Sequence, residues 1–484
     1  MEITGFCVAA PSTIEVNEEF SLGVKALCTP HVIGASCQWQ TFPPYLCGPY
    51  NLSPRGITYM DNVPPEWHGR VSLQAEGGYA GPAEFSFEGV AGPYVGDSRP
   101  IARIGGLRFR EPGMKFITVQ DSESGVSARS NPICVSAEKL DERLYWGDLH
   151  SQTFFSDGLR CPEELYTFAR DEAFLDIFAL SDHAEPLSDR QWEYFGNVTN
   201  DFNEAERFVT FVGLEWTNSR IGHRNVYYPG DGGPILRASD PKQSALEEVY
   251  RVARQEGALA IPHHSANTVM GVKWELGHDP EVERLVEIYS VWGNSERPAS
   301  AGNPRPIRTT KGETAGQHVI DALNRGYRFG LIGGGDIHDG RPGDDLHSCQ
   351  TQPEHYHLLW RQGIMGVWAP RLTREGIFEA LWNRRVFATT NVRLFLDIRV
   401  CEQPMGSEVT YEGPRPIRVR AASEVPIARI DVVRNGRDAI HAEPGECDVA
   451  WEGVDEEGGD AWYYVRVTRE DGEMAWSSPV WVVG

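Results

Sequence analysis

The sequence predicts an α/β protein in three parts, a middle region of alternating strands and helices between two β-sandwich-like modules. Residues 1–139 carry short alternating or β-branched runs broken by Gly, Pro and Ser, such as TIEVNEEFSLGVKAL and MKFITVQDSESGVSARSNPICV, which is a sandwich pattern. Residues 396–484 repeat it, with hairpin turns at Asn435-Gly436 and Asp471-Gly472. Over residues 140–395 apolar strands alternate with amphipathic helices, as in βα units around a parallel sheet or barrel. A chain of 484 residues suits about three domains. No internal repeat or long linker separates the parts, so they are expected to pack together.

Each middle helix has a local cause. The first starts with Pro162 in its first turn, followed by Glu163 and Glu164, and spaces Leu165, Phe168 and Ala169 on one face before the strand LDIFALS. In the second, Ser244 and Glu247 form an expected capping box, Leu246, Val249, Tyr250 and Ala253 make the buried face, and Gly257 ends it. A third runs through TREGIFEALWNRR, with Thr373 as its N-cap.

Composition excludes several functions. Hydrophobic residues at 40% and charged residues at 24% are globular values, and no apolar run approaches the roughly 18 residues of a membrane span, so no membrane partner is expected. The opening MEITGFCVAAPSTIEV has no basic segment of a secretory signal, and a cytoplasmic location is expected. Lys+Arg total 45 against 69 Asp+Glu, a net charge of −24 that would repel a phosphate backbone, so nucleic acid is not an expected partner. The nine cysteines (7, 28, 37, 47, 134, 161, 349, 401 and 447) are odd in number and form no CxxC pair, which fits reduced thiols. There is no GxxxxGK loop, GxSxG elbow or cysteine-nucleophile signature, and GGGDIHDG lacks dinucleotide-binding spacing.

Ionisable residues follow the ends of successive apolar strands in the middle region. They are Asp148, His150 and Gln152 in LYWGDLHSQT, Asp182 and His183 after LDIFALS, Glu215 in GLEW, His223 in GHRNVYY, His263 and His264 in AIPHH, Glu287 in LVEIYS, and Asp336 and His338 in GGGDIHDG. In α/β barrels the C-terminal strand ends form the active-site face, so these side chains would converge on one cup. Imidazole and carboxylate suit zinc, manganese or iron, and a constellation this large can hold two or three divalent ions. One strand-end His is more often a hydrogen-bonded structural residue, but solvation does not explain polar residues capping apolar runs so regularly. At a strand period of two, His150 and Gln152 share a face, as do Asp336 and His338.

These motifs resemble, in order, those of the polymerase and histidinol phosphatase (PHP) superfamily of metal-dependent phosphoesterases. The likeness covers roughly residues 144–395 and rests on DLHSQTFFSDG, SDH, the Glu of GLEW, the His of AIPHH and the DIH of GGGDIHDG. It implies a distorted seven-stranded (β/α) barrel, here in a branch with flanking β-modules. By resemblance, His150, Glu215 and Asp336 would hold one ion, Glu215 would share a second with His223 and His264, and Asp157, His183 and His338 would hold a third. The sequence departs from the pattern at Gln152, where the common motif has a second His, and an amide oxygen is a weaker neutral ligand than imidazole. Adjacent strand residues point to opposite faces, so only one of His263 and His264 is expected to ligate, with His264 favoured because the family's ligand usually precedes the residue that starts the turn.

The resemblance implies hydrolysis of small-molecule phosphate mono- or diesters by a metal-activated bridging hydroxide, with Glu215, Asp336, His338 and Arg224 as the catalytic set. Arg224, beside His223, is the candidate phosphate clamp, equally readable as a surface arginine. Arg308 and Lys311 lie in a Gly- and Pro-rich stretch long enough for a lid or a solvated loop. Asp182 is expected to orient a His ligand, Asp339, Arg341 and Asp344 are candidates for substrate contact by position, and Tyr227, Tyr228 and Trp292 read as rim packing. One alternative is metal-dependent hydrolysis of a carboxylic ester, lactone or amide; another is a glycan- or partner-binding protein on a degenerate barrel. The β-modules would shape the cleft, bind a carbohydrate or support a homo-oligomer.

Overall fold

A computed structural model describes residues 1–38, 55–94, 96–344 and 359–484. The protein is mixed α/β, mostly sheet with few helices. In the N-terminal part the strands Ile3–Ala9, Phe20–Cys28, Ile101–Phe109 and Tyr79–Ala80 form one sheet, and Ser127–Arg129, Ile117–Asp121, Arg70–Ala75 and Glu84–Ser86 form another. Their alternating inward side chains, among them Leu22, Val24, Leu73, Leu107 and Val119, share one core. Cys7, Cys28, Cys134, Cys161, Cys401 and Cys447 are free thiols, whereas Cys37, Cys47 and Cys349 lie outside the residues whose side chains are described.

The middle region begins as expected. Arg143–Asp148, Ile177–Ala179 and Val209–Trp216 are parallel neighbours. Val209–Trp216 is buried at every residue, the burial that its unbroken apolar run foretells. The strand–helix alternation then lapses, because Arg224–Tyr228 pairs antiparallel with Val209–Trp216 and with Leu259–Pro262. Leu285–Ser290 and Gly330–Gly333 form a further parallel pair, and Ile364–Ala369 runs antiparallel to Arg143–Asp148.

The helix starting at Pro162 is α-helical only to Thr167 and continues as a π-helical turn over Phe168–Glu172. The Leu246–Glu256 helix lacks the expected capping box, since its N-cap is Ala245 and the Ser244 hydroxyl donates to the carbonyl of Pro241 instead. Gly257, at φ 63°, ends it in the left-handed conformation that glycine adopts freely. Thr373 caps Arg374–Trp382, accepting from Gly376 N at 3.1 Å.

The C-terminal strands join the middle sheet directly: Met474–Ser477 pairs antiparallel with Val386–Thr389, making one sixteen-stranded network. Its longest strand, Arg415–Arg434, turns back at Asn435 (φ 46°) and Gly436 (φ 80°), the positive angles that a two-residue hairpin requires. Among the described residues no helix is long and apolar enough to cross a membrane.

Candidate metal centre

Loops at the strand ends place Glu215 at the middle of a buried donor cluster. Its Oε1 lies 2.7 Å from His223 Nδ1 and 3.3 Å from His263 Nε2, and its Oε2 lies 3.3 Å from His183 Nδ1 and 3.6 Å from His150 Nε2. His150 Nε2 is also 3.4 Å from Asp336 Oδ1. To one side, Asp157 reaches His183 Nε2 at 3.5 Å and His338 Nε2 at 3.4 Å. This side opens to solvent, with the Asp157 and His183 side chains 27% and 22% exposed. Two donors each about 2.1 Å from a tetrahedral ion lie about 3.4 Å apart, so most of these spacings suit shared coordination.

Four groups of three residues each bring their ligand atoms within 4.8 Å of one another: His223, His263 and His264; His150, Glu215 and His263; Asp157, His183 and His338; and His150, Glu287 and Asp336. The donor chemistry fits divalent cations. Buried atoms without a hydrogen-bond partner include His150 Nε2, Glu215 Oε1, both nitrogens of His223 and of His263, His264 Nδ1, Asp157 Oδ1 and Asp336 Oδ2. Buried polar atoms are normally satisfied, and convergent lone pairs call for cations. Burial opposes the ionisation of Glu215, yet His183 and His263 hold its carboxyl well below the usual range. Burial, followed by the charges of His263 and His223, holds His264 well below an ordinary imidazole.

The histidines are oriented from behind. Glu287 accepts a hydrogen bond from His150 Nδ1 at 2.9 Å, which turns Nε2 toward Glu215 and Asp336. His183 Nδ1 is hydrogen-bonded to the Thr217 hydroxyl at 2.6 Å. Gln152 does face the cluster, donating through Nε2 to Glu215 Oε2 at 3.1 Å while its buried Oε1 has no partner. Asp148 Oδ1 accepts from the backbone of His150 and of Gly335 at 2.9 and 2.8 Å, joining two loops that carry donors, and burial pushes its carboxyl up to about 7.

Several expectations are corrected. Both His263 and His264 join the cluster, because the strand ends at Pro262 and His264 takes φ 33°, which breaks the alternation that would have separated them. Asp336 likewise stands at φ 49°, beyond the strand that ends at Gly333, so Asp336 and His338 are not strand neighbours and serve different groups. Two such non-glycine residues at one site are backbone strain held by the surroundings.

Arg224 is no clamp: it is fully buried, with Nε donating to Glu283 Oε1 at 3.0 Å and Nη1 donating to the carbonyls of Ile221 and Gly222. Asn225, paired with Glu215 across the strands, takes the cluster side, so its neighbour Arg224 points to the other face. Asp182 orients no histidine directly; its Oδ1 accepts from Thr153 and Ser156, fixing the turn that carries Asp157. Arg341 binds Asn62 at 2.8 Å and Asp344 at 2.5 Å, and Lys25 reaches Asp344 at 2.8 Å, so Arg341 and Asp344 tie their loop to the N-terminal part. Nor is the Gly- and Pro-rich stretch a free lid, since Glu296 within it accepts from Arg466, Arg297 and the Trp476 indole.

Sequence reasoning noticed Glu287 and Asp148 as strand-end carboxylates without giving them a role, and it missed Thr217. The triple glycine was the available signal: a Cβ at Gly334 would meet Glu287 Oε2 at 2.0 Å, and one at Gly335 would meet Asp148 Oδ2 at 2.6 Å.

A family model described as "Protein of unknown function (DUF3604)" matches residues 162–297 and 347–408. An uncharacterized protein of Chlamydia pneumoniae is 30% identical over 400 residues, covering 78% of this chain and 63% of that protein. A second, from Chlamydia trachomatis serovar D, is 30% identical over 409 residues with the same shares. The chain thus spans 63% of the length of these curated relatives. A solved two-domain protein from Bacteroides vulgatus, described as containing a predicted PHP-like metal-dependent phosphoesterase, is 16% identical with a TM-score of 0.34, covering 71% of this chain and 96% of that one. A Bacteroides uniformis β-glucuronidase is 8% identical with a TM-score of 0.16, covering 99% of this chain and 61% of that one.

Proposed function

We propose that the chain is a metal-dependent hydrolase of small-molecule phosphate esters, built on a PHP-type barrel. One observation carries the reading: seven donor residues, from His150 to Asp336, turn buried atoms without hydrogen-bond partners onto a cup centred on Glu215. The parallel strands Arg143–Asp148, Ile177–Ala179 and Val209–Trp216, with the parallel pair Leu285–Ser290 and Gly330–Gly333, support the barrel.

His150, Glu215 and Asp336 would hold one ion, His223, His263 and His264 a second beside Glu215, and Asp157, His183 and His338 a third. Two or three divalent ions would supply an acidified water as nucleophile and neutralise charge developing on the ester. The side chains contribute geometry. Glu215 spans neighbouring groups through its two oxygens, Glu287 fixes the His150 tautomer, and the solvent-facing side at Asp157 and His183 gives substrate its entry.

The commitment of Arg224 to Glu283 favours one second reading, a carboxylic ester, lactone or amide substrate, since no phosphate clamp stands at that position. The test is metal content by ICP-MS together with a phosphoester and carboxylester screen. Two or three equivalents, with phosphoester turnover lost in His183→Ala and Asp336→Ala, is the expected result. Full turnover in either variant would overturn the assignment of the cup, and turnover of carboxylesters alone would select the second reading.

A further inference from the structure

We propose that Trp292 binds the substrate, donating its indole N–H to an oxygen of the group being hydrolysed. The inference rests on the ester-hydrolase reading of the same cup.

Trp292 sits at the tip of a tight hairpin. Leu285–Ser290 and Gly293–Asn294 pair antiparallel with Ser290 opposite Gly293, leaving only Val291 and Trp292 in the turn. Gly293 takes φ 127°, an angle suited to glycine. The tip is pinned on both sides, because Val291 N donates to the Gly335 carbonyl at 3.2 Å and Val291 O accepts from Trp360 N at 2.7 Å. Gly335 directly precedes Asp336, so the hairpin and the donor loop form one structure.

The indole stands between two parts of the donor cluster. Its ring centre lies 6.4 Å from that of His264 and 6.4 Å from that of His338, at interplanar angles of 84° and 85°. The residue is only 6% exposed, yet its Nε1 is buried and has no acceptor. Five other buried indoles are satisfied: Trp146 donates to Ser12, Trp216 to the Gln243 carbonyl, Trp274 to that of Gln317, Trp368 to that of Leu396 and Trp476 to Glu296.

The sign of the unsatisfied group is informative. The orphaned atom of its neighbour His264, like those of Asp157 and Asp336 in the same cup, belongs to a group that offers a lone pair to a cation. An N–H needs an acceptor, and cations supply none. A substrate oxygen entering beside the ions is the acceptor that this position lacks, in the way that oxyanion-hole donors face developing charge.

The test is the indole 15N spectrum of the zinc-loaded chain, titrated separately with inorganic phosphate and with acetate. The Trp292 resonance, one of fourteen indoles, is assigned by its absence in W292F or, should that variant not fold, by its broadening when manganese replaces zinc. The expected result is a saturable downfield shift with phosphate, together with about tenfold weaker phosphate binding in W292F at unchanged zinc content. A shift with acetate alone would uphold the role of Trp292 and overturn the phosphoester reading. If neither anion moves the resonance, or if W292F binds the active anion as tightly as the wild type, the inference is overturned.

Discussion

Glu215 and Glu287 both approach His150, but through different nitrogens, 3.6 Å from Nε2 and 2.9 Å from Nδ1. Only the second contact is an oriented hydrogen bond to the far side of the ring, so Glu287 is placed to position His150 while Glu215 would share an ion with it. Glu287→Ala is expected to weaken zinc affinity by about 10–100-fold, the usual effect of losing a partner behind a metal-bound His. Gly334→Ala should reproduce the loss, because its Cβ would stand 2.0 Å from Glu287 Oε2. Chelator competition measures both, and unchanged affinity in Glu287→Ala would show that His150 needs no support. At this scale the histidines were legible because polar residues capped apolar strands. The directions of Arg224 and His264 were not, since one depends on strand parity and the other on a φ of 33° that neighbouring letters do not encode.

Among elements, the loops around the cup are fixed by ion pairs whose partners lie far away in sequence. Arg341 reaches Asp61 at 3.3 Å across 280 positions, and Glu296 reaches Arg466 at 2.7 Å across 170. This is why the stretch around Glu296 read as a lid or a solvated loop and Arg341 as a candidate substrate contact, whereas the Thr373 cap and the Gly257 stop, which act within one turn, were legible. Glu296 is 1% exposed. Burial works against its ionisation, but Arg466 and Arg297, helped by Tyr464 and Trp476, hold its carboxyl below the ordinary value. Because the folded-state value is the lower one, this contribution is fully present above the unfolded value of about 4.3 and is lost as pH falls through the folded one. Glu296→Gln should therefore cost less near neutrality than the about 3–5 kcal/mol of a fully broken buried pair, because Asp438 still pairs with both Arg297 and Arg466 and Asp431 with Arg466. The Tm gap to wild type should narrow below about pH 4. A gap that stays constant with pH would mean that the pair contributes no linkage.

For the whole molecule, the flanking modules differ in how they join the middle. The N-terminal strands keep their own core and meet the middle region through polar contacts, among them the Lys25–Asp344 pair and the Trp146 indole on Ser12, and through a small apolar cluster of Ala9, Val63 and Ile101 on Phe174. The C-terminal strands share both ladder and core with it, since Val386–Thr389 pairs with Met474–Ser477 and one cluster runs from Leu144 and Phe178 to Val419 and Val467. Alternating runs and turn residues made the β-rich character of both ends legible, but pairing between strands some ninety residues apart leaves no local trace, so this asymmetry was not.

Deleting residues 396–484 would strip the ladder from Val386–Thr389 and expose Trp146, Phe178, Phe387 and Leu394, all of which are buried in that shared cluster. At about 25 cal/mol per Å2 of apolar surface, or about 1.5–3 kcal/mol per side chain, exposing these side chains costs an amount comparable to the 5–15 kcal/mol that holds a typical domain together. The truncated chain should therefore be insoluble or unfolded and retain no zinc. Deleting residues 1–139 returns Arg341 and Asp344 to water and uncovers Phe174 from a small cluster rather than opening the shared core, so this chain should fold, bind zinc and melt cooperatively, at a lower Tm than the intact chain. Differential scanning calorimetry of the intact chain should correspondingly show the middle and C-terminal parts unfolding in one transition. A folded, zinc-loaded chain ending at residue 395 would refute the shared core as the basis of the middle region's stability.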